Sequence, residues 1–514
     1  MKILFVIKHV EYIDPMGVML LSALARRKGH RTHLHALSDG DVGDAVRRVA
    51  PDVVAYSAMT GEHKYYLAAN EVVKRHGRSI FTIMGGPHPT FHPDVIDGSD
   101  LDALCRGEGF DAWPELLEAL ESGRSVDSIP NIVTRGNQGD RSGRRLRDRR
   151  EELDDLPFYD RELVYRNTRL GSFGLRCFMS SYGCPYACAY CFNREYNHLY
   201  VGKGRLYRRL SVDRVCEELA ALKRDWPTQF IKFYDDVFTL DADRWLETFA
   251  EEYPRRVGLP FHCLVRADNV ARSPRILELL KRAGLVSISM SIESGNAHIR
   301  ESVLKRRMTE QDLSTAFRRC QELGIATFSN TILAVPVAPE VMRKEGKSAI
   351  DYDIESVDFN IRCGVVFGEF PLLTPYPGTR IDRIARSAGT FDGDYSRLHM
   401  NYHNLSPFDC FTPREKKLQK NLSLLGLLCL LFPGSRLQRF IRNLVVNHLI
   451  HLPRGDGRLE NWLMSRVYYV LFWVAKVYLV KTRIYPMRFS LAAALKNLVI
   501  SFRLELFKRS DEER

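Results

Sequence analysis

From Lys2 to Val366, short apolar runs of strand composition alternate with stretches of helical periodicity, and this order constrains the fold more than anything else in the 514 residues. Lys2–Ile7, Arg31–Leu37, Asp52–Ser57 and Ser79–Met84 read as strands, with helices expected over Gly17–Lys28, Ala45–Ala50 and Tyr65–His76. Gly29 follows the first helix as a C-terminal stop. Six more strand-like runs come later: Cys177–Ser181, Phe230–Tyr234, Pro260–Val265, Val286–Ile292, Ala326–Leu333 and Phe359–Val366. Parallel strands need a crossover between them, so this alternation calls for parallel sheets covered by helices. The class is α/β, opening with a doubly wound, Rossmann-like sheet. Such sheets bind ligands at the carboxyl ends of their strands. A chain of this length exceeds one ordinary core, so about two to four domains are expected.

The polar residues at those strand ends are distinctive. After the first of the later strands comes Cys184-Pro-Tyr-Ala-Cys188-Ala-Tyr-Cys191, a C-x3-C-x2-C spacing that supplies three thiolates and no fourth. A [4Fe-4S] cluster normally takes four cysteines, so three leave one iron open to substrate. A structural zinc site closes with four ligands and favours C-x2-C pairs, and neither Cys177 nor His198 stands at such a spacing. Next come Asp235-Asp236, Arg266-Ala-Asp268 and Glu293-Ser294-Gly295. Adjacent carboxylates are costly unless each has a partner. Arg266 suits a bidentate carboxylate, with a plain ion pair to Asp268 as the alternative.

In the first domain three loops fall at strand ends: Ser57-Ala-Met-Thr-Gly61, Gly85-Gly-Pro-His-Pro-Thr90 and Arg106-Gly-Glu-Gly109. Paired glycines permit close backbone approach to a ligand. None of the three is a G-x-G-x-x-G or Walker A loop, so nucleotide binding is poorly supported. His88 and His92 are either ligand contacts or ordinary loop histidines.

The cysteine spacing and the aromatic-rich stretch after it resemble the radical S-adenosylmethionine (SAM) superfamily. The segment Pro15 to His30, the Gly85–Thr90 loop and the Arg106–Gly109 loop resemble the cobalamin-binding domain of its cobalamin-dependent (class B) members. The resemblance implies a B12-binding domain followed by a partial (β/α)6 TIM-type barrel. It implies three cofactors: a [4Fe-4S] cluster on Cys184, Cys188 and Cys191, SAM on its open iron, and cobalamin. Tyr190 would pack on the SAM adenine. Asp235 and Asp236 would offer a partner to the methionyl ammonium, Arg266 would bind the carboxylate, and Glu293 and Ser294 would complete the site. Cobalamin carriers that put a histidine on cobalt use D-x-H-x-x-G, and this sequence has no such triplet. The lower cobalt face is therefore expected to meet Met59 and Thr60. The nucleotide tail would pass Gly85, Gly86 and His88, with Gly107 and Glu108 also in the cobalamin site. The segment Thr331 to Pro339 departs from the family, which often has a glycine-rich turn there, whereas Pro375-Tyr-Pro-Gly-Thr379 matches it.

The expected division is a cobalamin domain at 1–135, a basic linker at 136–170, the barrel at 171–395 and a helical C-terminal domain at 396–514. The last of these holds the charge asymmetry. From Phe411 onward there are 19 lysines and arginines against 7 aspartates and glutamates, which accounts for the whole net charge of +12. Basic and acidic residues before that point balance at 56 each. The segments Asn421–Pro433 and Val467–Val480 are very apolar. As helices they span about 20 Å against a hydrocarbon core of about 30 Å, too short to cross a bilayer alone. Flanking Arg436, Arg439, Arg442, Lys476, Lys481, Arg483 and Arg488 would suit anionic headgroups. Either the tail touches a membrane surface or it caps the barrel with a solvated basic face. The basic run from Arg135 to Arg150 has no interleaved aromatics, so no nucleic-acid partner is expected. Eleven cysteines in a chain this long do not make a disulfide framework, and the N-terminal apolar run is too short for a signal peptide. A cytoplasmic protein is expected, peripheral to the inner face of the membrane if the tail docks there.

Most understood members of the family are methylases of unactivated carbon. The resemblance implies that a 5′-deoxyadenosyl radical takes a hydrogen from a substrate, which then receives the methyl group of methylcobalamin. A reductant such as flavodoxin or ferredoxin would supply the electron, and the greasy tail suggests a hydrophobic substrate. The alternatives are a ring-forming or oxidative cyclase of the anaerobic magnesium-protoporphyrin ester type, and a non-catalytic cobalamin-binding or membrane-scaffold protein.

Overall fold

The structure, a computed structural model, describes residues 1–10, 13–137, 145–453 and 458–487. Part of the basic linker and Arg488 lie outside the described residues. The first sheet contains β1 (Lys2–Ile7), β2 (Arg31–Ala36), β3 (Val53–Ser57), β4 (Phe81–Gly85), β5 (Ala103–Cys105) and β6 (Ile132–Thr134). Their order is β2-β1-β3-β4-β5-β6, parallel except for β6 against β5. β1 is buried along nearly its whole length, as a central strand covered on both faces must be. β5 and β6 are only three residues each; the strand end before Arg106 is that of β5, whose range was not given, and β6 was not anticipated.

The second sheet holds six parallel strands. β7 (Leu175–Phe178) leads, and the short β8 (Ser181–Tyr182) and β9 (Arg208–Arg209) pair apart from it. Then follow β10 (Phe230–Phe233), β11 (Phe261–Leu264), β12 (Leu285–Ser289), β13 (Ala326–Asn330) and β14 (Phe367–Glu369). The order is β7-β10-β11-β12-β13-β14, the open barrel expected. The sixth strand is not where the sequence placed it. Phe359 lies in the last turn of a helix, Ala349–Arg362, and the strand is Phe367–Glu369. Tyr352, Ser356, Phe359 and Asn360 are buried at helical spacing, a Ser348/Asp351 capping box starts the helix, and Gly364 at φ +62° stops it.

The core on one side of the first sheet runs into that of the barrel. A smaller core closes the other side. Asp14 ties the two units together. Its Oδ2 accepts from Arg161 Nη1 at 3.0 Å, Tyr165 OH at 2.9 Å and the Cys177 amide at 2.8 Å. Asp14→Ala leaves the buried Arg161 without its ion-pair partner. Loss of one partner of such a pair costs about 3–5 kcal/mol. The expected result is a clear fall in the thermal unfolding midpoint, measured by circular dichroism.

The tail packs against the barrel through helices Pro413–Leu425, Arg436–Asn447 and Arg458–Leu479. The last continues as a π turn to Ile484, so the apolar helix runs from Leu459 to Ile484 and is long enough by length and composition to cross a membrane. This corrects the shorter span read from Val467–Val480. One face of it is nonetheless held by protein, because Tyr468, Phe472, Ala475 and Leu479 are buried in the common core. Its end enters the barrel. The Ser287 hydroxyl donates to Ile484 O, and the Tyr485 ring lies 5.2 Å from His262 and 5.6 Å from Phe230. Lys476 pairs with Glu369 at the end of β14.

Candidate active site

The three cysteines sit on the loop after β8. Gly183 begins it at φ +89°, and a Cβ there would lie 2.1 Å from Leu206 O, so only glycine fits. Asn197 Nδ2 donates to Cys184 O at 2.8 Å. The amide of Ala189 donates to Leu304 O, and Ala189 O accepts from the Ile381 amide. Cys191 caps the helix Phe192–Leu199. Hydrogen bonds from three separate segments thus fix a short loop that carries three thiols.

Burial pushes the Cys184 thiol up to about 11 and raises Cys191 as well. Cys188 is buried, with Arg306 Nη1 at 3.7 Å and Arg266 Nη1 at 3.9 Å from its sulfur. Among the described residues, no three His, Cys, Asp or Glu side chains converge on one point as a single metal ion requires. A cube that takes one thiolate per iron asks instead for sulfurs held apart. Two guanidiniums facing one sulfur supply the positive charge that a thiolate-bound cluster would meet. The donor set therefore fits an iron–sulfur cluster.

The adjacent carboxylates divide their roles. Asp235 Oδ1 accepts from the Ser180 amide at 2.9 Å, the Ser180 hydroxyl at 3.0 Å and the Ser181 hydroxyl at 2.6 Å. It braces the turn between β7 and β8, and its buried Oδ2 has no partner. Burial pushes its carboxyl up to about 7. Burial raises the Asp236 carboxyl, with Asn193 opposing the shift, and its charge adds to the burial that raises the Cys184 and Cys191 thiols. Of the pair, it is the one whose charge both thiols feel.

Arg266 forms the ion pair with Asp268, two bonds of 2.9 Å, and its guanidinium lies 3.8 Å from the Tyr186 ring centre. The same guanidinium reaches Cys188, so the pair is part of the site and not a surface feature. Glu293 has φ +65°, a backbone region a non-glycine residue occupies only where its surroundings force it. Its Oε1 accepts from Tyr190 OH at 2.6 Å and lies 3.8 Å from Arg306 Nη1. Ser294 points elsewhere. Its hydroxyl lies 3.4 Å from that of Ser356 and accepts from the Asn296 amide at 3.2 Å.

The sequence reading missed Arg306, which joins Cys188 to Glu293. Its signal was there in part: Leu304 and Met308, at either end of a basic run, are both fully buried. Tyr186 and Asn193 were missed as well.

In the first sheet, Met59 is exposed and Thr60 is buried. Thr60 Oγ1 lies 3.1 Å from His88 Nδ1, and the His88 ring stacks on His63 at 3.8 Å. Burial pushes His88 down to about 2 and His63 down to about 4, so both are neutral at physiological pH. His88 Nε2 is buried without a partner. Gly86, at φ +100°, lies so close to Ala58 that a Cβ would be 2.7 Å from its carbonyl oxygen. This presses the loops after β3 and β4 together. The loop after β5 turns toward the barrel: a Cβ on Gly107 would be 2.1 Å from Tyr200 OH, and the Glu108 amide donates to that hydroxyl at 2.9 Å. The Glu108 carboxylate is taken by Arg208, with one contact at 3.1 Å. Phe91, after β4, meets the ring of Phe192 at 6.3 Å. Two strand ends of the first sheet therefore abut the very helix that begins at Cys191. Closely set glycine loops, the exposed Met59 and the unpartnered His88 Nε2 fit a bulky ligand at this edge.

Comparison with known proteins agrees with this geometry. The family model for the B12 binding domain matches residues 4–117, and that for the radical SAM superfamily matches residues 179–345. The chain is similar to the hopanoid C-3 methylase of Methylococcus capsulatus, 27% identical over 71% of this chain and 68% of that protein. It is similar to the anaerobic magnesium-protoporphyrin IX monomethyl ester cyclase of Rubrivivax gelatinosus, 22% identical over 62% of this chain and 57% of that protein. The fold is that of the radical SAM methyltransferase TsrM of Kitasatospora setae, with a TM-score of 0.61 at 15% identity over 94% of this chain and 99% of that one. Another structure of TsrM holds cobalamin and a [4Fe-4S] cluster.

Proposed function

The chain is a radical SAM enzyme with a B12-binding domain, and from that premise we propose that it methylates an unactivated carbon of a hydrophobic substrate. The observation that carries this reading is the packing of the first sheet's carboxyl edge against the helix that starts at Cys191. This packing supports a cobalamin site and a SAM site that would lie face to face. When bound, the cluster supplies the electron that cleaves SAM, and the cobalamin supplies the methyl group. Cys184, Cys188 and Cys191 would hold the cluster, with a flavodoxin or ferredoxin as electron donor. Asp236 offers a carboxylate to the methionyl ammonium, and Arg266 offers a guanidinium to the carboxylate. Tyr190, fixed by Glu293, presents its ring to the adenine. Asp235 and Ser294 act as positioning residues behind them. Met59 is assigned to the cobalt face and Gly85 and Gly86 to the nucleotide tail. Thr60 and His88 back that loop, while Gly107 and Glu108 fix the spacing of the two domains. The tail inside the barrel would exclude water from the reacting groups.

Anaerobically reconstituted protein, given methyl-labelled SAM, a strong reductant and a lipid extract, is expected to form S-adenosylhomocysteine and 5′-deoxyadenosine in equal amounts, with label in a lipid product. Formation of 5′-deoxyadenosine without S-adenosylhomocysteine would overturn methylation in favour of the cyclase-type alternative, which the likeness to the ester cyclase supports.

A further inference from the structure

The long tail helix keeps one face in the core and shows the other to solvent. Trp462, Leu463, Val467, Leu471, Val474 and Tyr478 are all exposed, Val474 at 55% and Tyr478 at 57%. They recur at helical spacing, and from Trp462 to Tyr478 the stripe runs about 24 Å at a rise of about 1.5 Å per residue. Single exposed apolar residues need no explanation, but a continuous stripe does. The buried face excludes a spanning helix, since lipid could not surround it. A second copy of the chain is a poor occupant, because the whole net charge of +12 lies in this tail and two tails would repel. An anionic surface is attracted by the same charge. Arg436 and Arg439 are exposed beside exposed Leu437 and Phe440, and Arg483 is exposed just past the stripe. Trp462 and Tyr478 stand near its two ends, and both ring types favour the headgroup boundary.

We propose that this face lays the protein flat on an anionic bilayer. The docking stands on these residues; its use, access to a membrane-embedded substrate, rests on the function proposed above.

Full-length protein is expected to float with vesicles of phosphatidylcholine and phosphatidylglycerol, and to stay behind with phosphatidylcholine alone. Leu471→Glu/Val474→Glu should cut vesicle partitioning at least about tenfold, since it removes apolar burial and adds like charge to the lipid. Both positions are exposed, so an unchanged thermal unfolding curve checks the fold. Arg436→Glu/Arg439→Glu should weaken binding most at low salt. Absence of flotation with either vesicle, or unchanged flotation of the stripe variant, overturns the proposal. So does a dimer that the stripe variant converts to monomer. Floating protein that transfers no methyl group retires the enzymatic reading and keeps the docking. Methylating protein that ignores vesicles does the reverse.

Discussion

Cys188→Ala is expected to abolish reductive cleavage of SAM while leaving the protein folded. The Cys188 sulfur is the point on which Arg266 and Arg306 both converge, at 3.9 and 3.7 Å. Alanine removes one of the three thiols proposed to hold the cluster, and two thiolates could not hold a cube whose fourth iron has no protein ligand. Folding should survive because neither guanidinium depends on the sulfur alone. Arg266 keeps its two bonds to Asp268, and Arg306 keeps Glu293. Iron and sulfide content, the electron paramagnetic resonance signal of the reduced protein and 5′-deoxyadenosine yield should all fall to background, with an unchanged unfolding curve. Full iron content and undiminished 5′-deoxyadenosine from this variant would show that the cluster is held elsewhere.

The features legible in the sequence were the local ones. C-x3-C-x2-C is a spacing within eight residues, so the thiol loop needs no tertiary information to be read. β1 and β3 showed as apolar runs because central parallel strands are buried on both faces. β14 did not, since three residues are too few to display a period and the apolar run before it has helical spacing. Arg306 was hidden for a different reason. The run Leu304 to Thr309 resembles the family as a segment, but it does not show which of its basic residues turns inward, and the partners Cys188 and Glu293 are brought to Arg306 only by the barrel. The left-handed backbone of Glu293 was equally illegible, because nothing but glycine announces a positive φ in a sequence. The Asp235-Asp236 pair was visible as a pair, and its division of labour was not: Ser180 and Ser181, which claim Asp235, lie over fifty residues earlier.

That division leads to the second large effect. Asp236→Asn should weaken SAM binding about a hundredfold, the scale of losing a charged partner worth about 3 kcal/mol. Asp235→Asn should leave affinity nearly intact, because Asn keeps an oxygen for the three donors of the β7–β8 turn. Asp235 should instead reveal itself in stability. Its carboxyl is pushed up to about 7 by burial, from an ordinary value of 3.8. Between those values the folded state holds a proton that the unfolded state has released. Stability therefore falls as pH rises through that window and levels off above it, by about 1.4 kcal/mol per pH unit at most. Asn carries no such proton, so the variant should gain on the parent protein from about pH 4 to about pH 7 and hold the gain above. Calorimetric titration with SAM and denaturant unfolding of the cofactor-free protein at several pH values separate the two residues. Equal loss of SAM affinity in both variants, with parallel stability curves, would mean that Asp235 turns from its serines to meet the ligand.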